Sequence, residues 1–270
     1  MKLTRRSTQP DVNPLDGVEY EKRRSVITNP DGSVVFEARD AEIPTGWSQL
    51  ATDIVVSKYF RRAGLPTPEG RETSVRQVVH RIAHTIREAG EQLGGYFDSK
   101  ADAETFDAEL TEILINQKGA FNSPVWFNCG LWHRYKISGG GGSFAWNFEH
   151  GTVEEIANSY LRPQCSACFI QSVKDDLMSI FDLVKTEARI FKYGSGTGTN
   201  FSKLRSKHEK LSGGGTSSGL MSFLKVLDAG AGATKSGGTT RRAAKMVCLD
   251  MDHPEIVDFI NWKVREEDKA

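Results

Sequence analysis

The feature that most constrains the fold is the unbroken succession of a strand pattern, a helix pattern and spaced glycines in residues 163–200. Residues 165–173 are short and partly apolar and lie between a proline and a charged cluster, which predicts a strand. From Leu177 the apolar residues recur at the spacing of one buried helix face. Either of the two preceding aspartates can cap that helix, and Gly194 lies just beyond its end. The succession predicts an α/β fold.

Length and charge exclude several classes of protein. A chain of 270 residues can bury a core without disulfides or a metal. Lys+Arg and Asp+Glu both number 35, so no net field favours a nucleic-acid polymer or a membrane as partner. Four cysteines are too few for a secreted disulfide scaffold, and no apolar segment follows the basic start. We expect a cytoplasmic protein without nucleic-acid or membrane partners.

The pattern of polar and apolar residues divides the chain into three segments. Residues 1–24 are polar and lack periodicity, which predicts a mobile arm. Residues 25–117 are predicted to be mainly helical, and their longest helix begins at a capping box formed by Ser74 and Gln77. Residues 118–270 are predicted to form the α/β domain.

Three local patterns lie in the first part of that domain. Pro124 argues against a helix interior in the apolar segment 121–131. The aromatic residues 144–147, which follow a run of glycines, predict a loop. Thr152 and Glu155 have the spacing of a capping box, which predicts a helix that leads toward the strand.

Cys165 and Cys168 form a C-x-x-C pair with three possible interpretations. They are a zinc half-site, a redox dithiol, or one working cysteine beside a structural one. Cys129 and Cys248 are each isolated in sequence, so neither completes a zinc site at the usual spacing. On a strand, positions three apart face opposite sides, so the two thiols are expected to diverge. Spacing alone leaves the three interpretations open.

Two further patterns suggest ligands without specifying them. Gly194, Gly196 and Gly198 are spaced G-x-G-x-G after a helix, whereas a dinucleotide fingerprint follows a strand. Successive glycines can still present backbone N–H groups to an anion. His80 and His84 lie one helical turn apart, but no partner at metal-ligand spacing accompanies them, so we expect a structural role.

In order and spacing, residues 163–200 resemble the start of the catalytic barrel of ribonucleotide reductases. In that family a cysteine on the first barrel strand is followed by an acidic pair, a helix and a glycine-rich turn. The segments 53–60, 121–131 and 143–147 are most similar to the class II enzymes, which use adenosylcobalamin. The resemblance implies an α/β fold with a mainly helical N-terminal region, followed by the first part of a ten-stranded α/β barrel. It also implies reduction of ribonucleotides, expected to be diphosphates, to 2′-deoxyribonucleotides by a cobalamin-initiated thiyl radical mechanism.

The resemblance also implies roles for individual residues. Cys168 would be one of the two thiols that supply reducing equivalents and end as a disulfide. Substrate contacts are implied for Ser123, Ala167, Cys168 and Gly196. Binding of a regulatory deoxynucleoside triphosphate is implied for Asp176, Lys192 and Arg205. The loop 229–242 would relay the identity of this effector, with Arg241 and Arg242 as its anion or base contacts.

The family pattern further implies partners and a fragment. The expected partners are a ribonucleotide substrate, a dNTP effector, a thioredoxin-like or glutaredoxin-like reductant and, at full length, a second copy in a homodimer. The asparagine-x-cysteine-x-glutamate segment that carries the thiyl cysteine in the family is not in this sequence. We therefore expect a fragment that is inactive alone. The alternatives are a non-catalytic dNTP-binding regulatory module and a C-x-x-C redox or zinc protein.

Overall fold

The structure is a computed structural model that describes residues 1–234 and 242–269. The chain forms two compact units, Met1–Cys165 and Ser166–Ala270. This division differs from the predicted boundaries after residues 24 and 117. The reason is packing, because Leu15 and Trp126 lie in the same hydrophobic cluster as the central helix of the first unit.

The first unit combines a long antiparallel hairpin, several helices and a second, shorter hairpin. The long hairpin pairs β1 (Tyr20–Thr28) with β2 (Val34–Pro44) after a 3-10 helix at Pro14–Gly17. The helices are α1 (Gln49–Ile54), which continues into a π-helical turn at Val55–Tyr59, α2 (Val75–Gln92), α3 (Lys100–Ile115), α4 (Ser123–Asn128) and α5 (Leu131–Tyr135). The shorter hairpin pairs β3 (Ser143–Asn147) with β4 (Thr152–Ile156).

Helix α2 forms the centre of this unit, and its start confirms the predicted capping box. The Ser74 backbone N–H donates to Gln77 Oε1 at 3.0 Å, and Ser74 Oγ accepts a backbone hydrogen bond from the first turn. The first half of its predicted apolar stripe is buried and contributes to the main core through Val75, Val78, Val79 and Ile82, whereas Leu93 at the other end is 51% exposed.

A buried ion pair connects α2 to its neighbours. Arg81 Nε donates to Glu72 Oε1 at 2.7 Å, and both side chains are fully inaccessible to solvent. Arg81 also donates to the carbonyl oxygens of Trp126 and Cys129, each at 2.7 Å. Burial acts to lower the pKa of Arg81, but Glu72 outweighs it and the pKa is raised. The guanidinium therefore stays charged and holds the end of α4 against α2.

Pro124 lies in the first turn of α4, where no intrahelical N–H is needed, and so does not occupy the helix interior that the sequence argued against. Two other predicted features, between residues 144 and 156, are wrong. The loop predicted at 144–147 is strand β3, and Thr152 with Glu155 lie in strand β4 and cap no helix. Pairing of these two strands outweighs the local capping pattern.

Carboxylates of α3 hold the N-terminal segment, and Glu109 makes most of these contacts. Glu109 Oε1 accepts from the backbone N–H groups of Arg6, Ser7 and Thr8 at 2.9–3.0 Å, and from Thr8 Oγ1 at 2.7 Å. Burial acts to raise the pKa of Glu109, but these hydrogen bonds outweigh it and lower the pKa to about 2. This arrangement differs from the mobile arm predicted over residues 1–24.

The second unit is of the α/β type that the sequence predicts, with one strand more than expected. Its strands β5 (Cys168–Gln171), β6 (Gly196–Asn200) and β7 (Lys245–Cys248) form a parallel sheet in the order β5-β6-β7. Two helices lie in the crossovers, α6 (Leu177–Lys192) and α7 (Leu220–Ala233), and two follow β7, α8 (Ile256–Ile260) and α9 (Trp262–Lys269). The core between sheet and helices includes Ile180, Leu183, Phe201, Leu220 and Leu224.

The predicted glycine turn is wrong beyond Gly194, which has the positive φ of 83° expected just after a helix. Residues 196–200 instead form the middle strand. Gly196 N donates to Ala167 O at 2.7 Å, and Thr197 N donates to Ala244 O at 2.9 Å. The parallel strands β5 and β7 therefore satisfy the backbone hydrogen-bonding groups of residues that the local sequence assigns to a turn.

Within residues 1–234 and 242–269, no helix has the length and apolar character required to cross a membrane. The predicted contact Arg241 lies outside these described residues, whereas Arg242 is exposed beside the start of β7.

We predict that Glu109→Gln destabilises the protein by about 2 kcal/mol at pH 7, less than the full pKa shift because solvent screens part of the interaction. The folded-state pKa is depressed, so this stability is present above about pH 4.5 and is lost as the pH falls toward 2. Urea unfolding across this pH range measures it. Glu104→Gln, an exposed change on the same helix, is the control. Identical pH profiles for the two variants would contradict the prediction.

Candidate functional site

The start of the parallel sheet brings together three of the predicted substrate residues. Cys168 is the first residue of β5, is exposed, and lies in register with Gly196 of β6. The Ala167 carbonyl accepts the Gly196 N–H at 2.7 Å. Ala167, Cys168 and Gly196 therefore form one continuous edge, with an accessible thiol beside a strand that has no side chain at that position.

Gly196 is required there by its close neighbours. A Cβ atom at this position would lie 3.0 Å from the Ala244 carbonyl oxygen and 3.6 Å from Cys168 Sγ. The oxygen belongs to the backbone that pairs with β6, so it cannot move aside alone. At Gly198 a Cβ would meet only side-chain atoms at ordinary contact distance, Met246 Cε at 3.4 Å, Ile170 Cδ1 at 3.5 Å and Met246 Cβ at 3.8 Å.

One face of the sheet is open and carries this edge. Side chains alternate along each strand, so Cys168 and Ile170 share a face with Met246 through the ladder register. Ile170 is 82% exposed and Met246 is 56% exposed. Between these two strands the glycines of β6 are buried, and the ends of the Ile170 and Met246 side chains lie over Gly198.

The opposite face is closed by a buried ionic group that the sequence analysis missed. Lys245 Nζ donates to both carboxylate oxygens of Glu187 at 2.7 Å, and Thr197 Oγ1 donates to Glu187 Oε1 at 3.1 Å. Burial lowers the pKa of Lys245, and Glu187 opposes that effect. The sequence held a signal, because Glu187 lies between Val184 and Phe191 on the buried stripe of α6. This group joins α6, β6 and β7 directly behind Gly196.

Ser123 belongs to the first unit. It is the first residue of α4 and is partly buried, and its Oγ lies 3.1 Å from the Tyr59 hydroxyl. The Tyr59 ring stacks on Trp126 with 5.6 Å between ring centroids. The hydroxyl of Ser123 is thus placed by packed aromatic residues.

The three predicted effector residues do not all lie together. Asp176 is the N-cap of α6, and its Oδ1 accepts from the Ser179 N–H at 2.9 Å. Arg205 Nε donates to Asp175 Oδ2 at 2.6 Å, so the neighbouring aspartate is the ionic partner of Arg205. Asp176 and Arg205 therefore lie around the same helix N-terminus, where backbone N–H groups favour an anion.

Lys192 does not join them within one chain. It is the last residue of α6, and its Nζ lies over the Tyr193 ring at 5.4 Å from the centroid. A helix of 16 residues is about 24 Å long, which separates Lys192 from Asp176 by nearly that distance. Order along the sequence suggested one site, but the helix places these two residues at opposite ends.

The two cysteines of the C-x-x-C pair belong to different units. Cys165 packs against the core of the first unit and is hydrogen-bonded to Cys129, whereas Cys168 opens β5 in the second unit. His84 Nδ1 lies 3.0 Å from Asp107 Oδ2 of α3, a tertiary partner that the sequence spacing did not reveal. Within the described part of the chain, no group of three or more His, Cys, Asp or Glu side chains could hold a metal ion.

Comparison with protein families covers most of the chain. Residues 21–117 match the family model described as class II vitamin B12-dependent ribonucleotide reductase. Residues 166–270 match the model of the ribonucleotide reductase barrel domain, which begins where the second unit begins. The chain belongs to the class II ribonucleotide reductase family. The expected fold class, a mainly helical region followed by the first part of the α/β barrel, is confirmed.

Relatives in this reductase family match along the whole chain. Vitamin B12-dependent ribonucleotide reductases of Agrobacterium fabrum and Streptomyces coelicolor are each 48% identical to it, over 305 and 270 aligned residues that cover 100% of the chain. The corresponding protein of Rhodopirellula baltica is 49% identical over 257 residues, which cover 95% of the chain. The chain spans about a quarter of the length of these relatives, 24%, 25% and 24% respectively.

A solved structure of the Actinobacillus ureae class Id ribonucleotide reductase alpha subunit is also similar. It has 17% sequence identity and a TM-score of 0.44, and the match covers 67% of this chain and 26% of that chain. At this TM-score the likeness adds nothing to the family assignment.

The described cavities do not fit the vitamin B12 cofactor that the family description names. Three of them have volumes of about 470, 230 and 80 Å³. Pockets for drug-sized ligands measure roughly 300–1,000 Å³, and a corrinoid with its nucleotide tail is larger than such ligands. The first cavity is also lined by many charged side chains, among them Lys207, Asp258 and Arg265.

We predict that Gly196→Ala separates β6 from β7 and destabilises the protein by about 1–3 kcal/mol, the usual cost of overpacking. Gly198→Ala is the matched control on the same strand. Its neighbours are side-chain atoms at ordinary contact distance, so we expect a loss below about 1 kcal/mol. Urea unfolding midpoints measure the difference. Equal midpoints for the two variants would show that the Ala244 carbonyl does not restrict position 196.

Proposed function

We propose that this chain is the substrate- and effector-binding part of a class II reductase that converts ribonucleotides, expected to be diphosphates, to 2′-deoxyribonucleotides for DNA synthesis. The observation that carries the proposal is the exposed Cys168 thiol beside Gly196 on the open face of the sheet, within the part of the chain that matches the barrel domain. The proposed cofactor is adenosylcobalamin, which supplies the initiating radical when bound. We expect the complete enzyme to act in the cytoplasm.

The proposed chemistry of Cys168 is the supply of reducing equivalents. The ribose 2′ hydroxyl leaves as water, a hydrogen takes its place, and two thiols are oxidised to one disulfide, which balances atoms and electrons. A thioredoxin-like or glutaredoxin-like dithiol would then reduce that disulfide. We propose Ser123 and the backbone of Ala167 as further substrate contacts, since one offers a hydroxyl and the other lies next to the thiol.

The second thiol is not Cys248 within this sheet. Cys248 pairs in register with Asn200, at the far end of β6 from Gly196. Four residues along a strand span about 13 Å, far beyond the reach of a disulfide. Cys248 nevertheless lies on the same open face and is exposed, so it is a matched control for Cys168.

We predict that Cys168→Ser abolishes multiple turnover in the full-length reductase with a dithiol reductant, because no disulfide can form at that position. Cys248→Ser is expected to retain turnover. Deoxynucleotide formation per enzyme, followed over many turnovers with each variant, makes the measurement. Sustained turnover by Cys168→Ser would remove the assigned role, and loss of turnover in both variants would point to a general effect on the sheet.

We further propose that a regulatory deoxynucleoside triphosphate binds at the N-terminus of α6, near Asp176 and Arg205. An aspartate there can accept a ribose hydroxyl, although the cap hydrogen bond already occupies Oδ1 of Asp176. The guanidinium of Arg205 can pair with phosphate. We also propose that the full-length protein forms a homodimer.

We predict that Arg205→Ala weakens dNTP binding to the full-length protein by about tenfold or more, equivalent to the 1.5–3 kcal/mol of a charge-assisted contact. Isothermal titration calorimetry measures the affinity. Lys185→Ala removes an exposed cation from the same helix and should leave it unchanged. Lys192→Ala tests the predicted third residue, and an effect there would require phosphate to approach the other end of α6. Unchanged affinity in Arg205→Ala would remove this site.

A further inference from the structure

The first unit contains two thiols that face each other although they are distant in sequence. Cys129 follows the last residue of α4, and Cys165 ends the unit. Both are free cysteines, and the Cys129 S–H donates a hydrogen bond to the Cys165 sulfur. Cys129 belongs to the main core cluster, and Cys165 packs against that cluster from outside.

The backbone on both sides of this thiol pair is held in place. Asn128 Nδ2 donates to the Gln164 carbonyl at 2.7 Å, so the residues that precede the two cysteines are joined directly. Arg81 Nη1 donates to the Cys129 carbonyl at 2.7 Å from the buried ion pair with Glu72. The two sulfur atoms are therefore brought together by independent contacts and not by a single flexible side chain.

The two thiols differ in access and acidity. Cys129 is 5% exposed, whereas Cys165 is partly open to solvent. The hydrogen bond from Cys129 lowers the pKa of Cys165, while that hydrogen bond and burial raise the pKa of Cys129. The thiolate is the nucleophilic form of cysteine, so the accessible partner is also the reactive one.

We propose that Cys129 and Cys165 are an oxidisable pair, in which Cys165 reacts with a peroxide and Cys129 resolves the product as an intramolecular disulfide. The Cys165 thiolate attacks the peroxide O–O bond, which breaks to give a sulfenic acid and hydroxide, and the hydroxide takes a proton to become water. Cys129 sulfur then attacks the Cys165 sulfur, and its proton leaves with the sulfenic hydroxyl as a second water. One hydrogen peroxide thus oxidises two thiols to one disulfide.

A disulfide between Cys129 and Cys165 excludes a disulfide within the C-x-x-C motif, because both would use Cys165. The competing disulfide would join Cys165 to Cys168, but Cys168 begins a strand whose ladder to Gly196 is supported by the Ala167 carbonyl. Cys165 instead already contacts the Cys129 sulfur. The structure therefore assigns Cys165 to the core of the first unit.

The test treats the full chain with one equivalent of hydrogen peroxide. The Cys168→Ser/Cys248→Ser double variant removes the two exposed thiols and leaves Cys129 and Cys165 out of the four cysteines. We expect both remaining thiols to disappear, and peptide mapping without reduction to show a Cys129–Cys165 link that dithiothreitol reverses. Survival of both thiols after one equivalent, or oxidation without a Cys129–Cys165 link, would overturn the proposal.

Single variants then assign the order of the steps. When Cys129→Ser is added to the double variant, the sulfenic acid at Cys165 has no resolving partner, so dimedone should label it. In Cys165→Ser the buried Cys129 should keep its thiol. The unmodified chain serves as a further measurement that does not depend on tolerance of these substitutions in the core. A map of that chain in which Cys165 is linked to Cys168 would refute the pairing.

Discussion

The first unit depends on the buried ion pair between Arg81 and Glu72. Taking two charges out of water costs several kcal/mol per ion, so such a pair persists only where further hydrogen bonds satisfy it. Here Glu72 also accepts from the Arg61 N–H and the Tyr135 hydroxyl, and Arg81 donates to carbonyls at the end of α4. Those carbonyls lack intrahelical partners. The Arg81 side chain therefore both pairs with the charge of Glu72 and supplies hydrogen bonds to the end of α4. The position of Cys129, and with it the thiol pair, follows from this constraint.

The second unit also buries a charged side chain, behind its sheet. Glu187 places a carboxylate in the hydrophobic layer and is compensated by Lys245 and Thr197. This group holds α6 against β6 and β7, so the sheet is closed on one face and open on the other. The open face carries the exposed thiol of Cys168, and the glycines of β6 lie buried beside it. Stability and the candidate chemistry are thus divided between the two faces of the same three strands.

Local sequence patterns predicted the helices better than the strands. The capping box at Ser74 and the stripe of α2 are contacts between residues close in sequence, so the pattern is sufficient. The same logic failed at Thr152 and Glu155, where the capping pattern is present but pairing with β3 is stronger. The glycines after Gly194 predict a turn because nothing local shows that β5 and β7 lie on either side of them.

The sequence by itself determined the family, the long helices α2 and α6 and an aspartate cap for α6, and it named Cys168 and Gly196 as candidate site residues. These depend on spacing within short segments and on a family pattern carried by the same residues. Only the tertiary structure decided that Cys165 faces Cys129 and that Asp175 pairs with Arg205. Each is a contact between residues far apart in sequence, which no local pattern encodes, whereas the separation of Lys192 from Asp176 already follows from the length of the predicted helix α6.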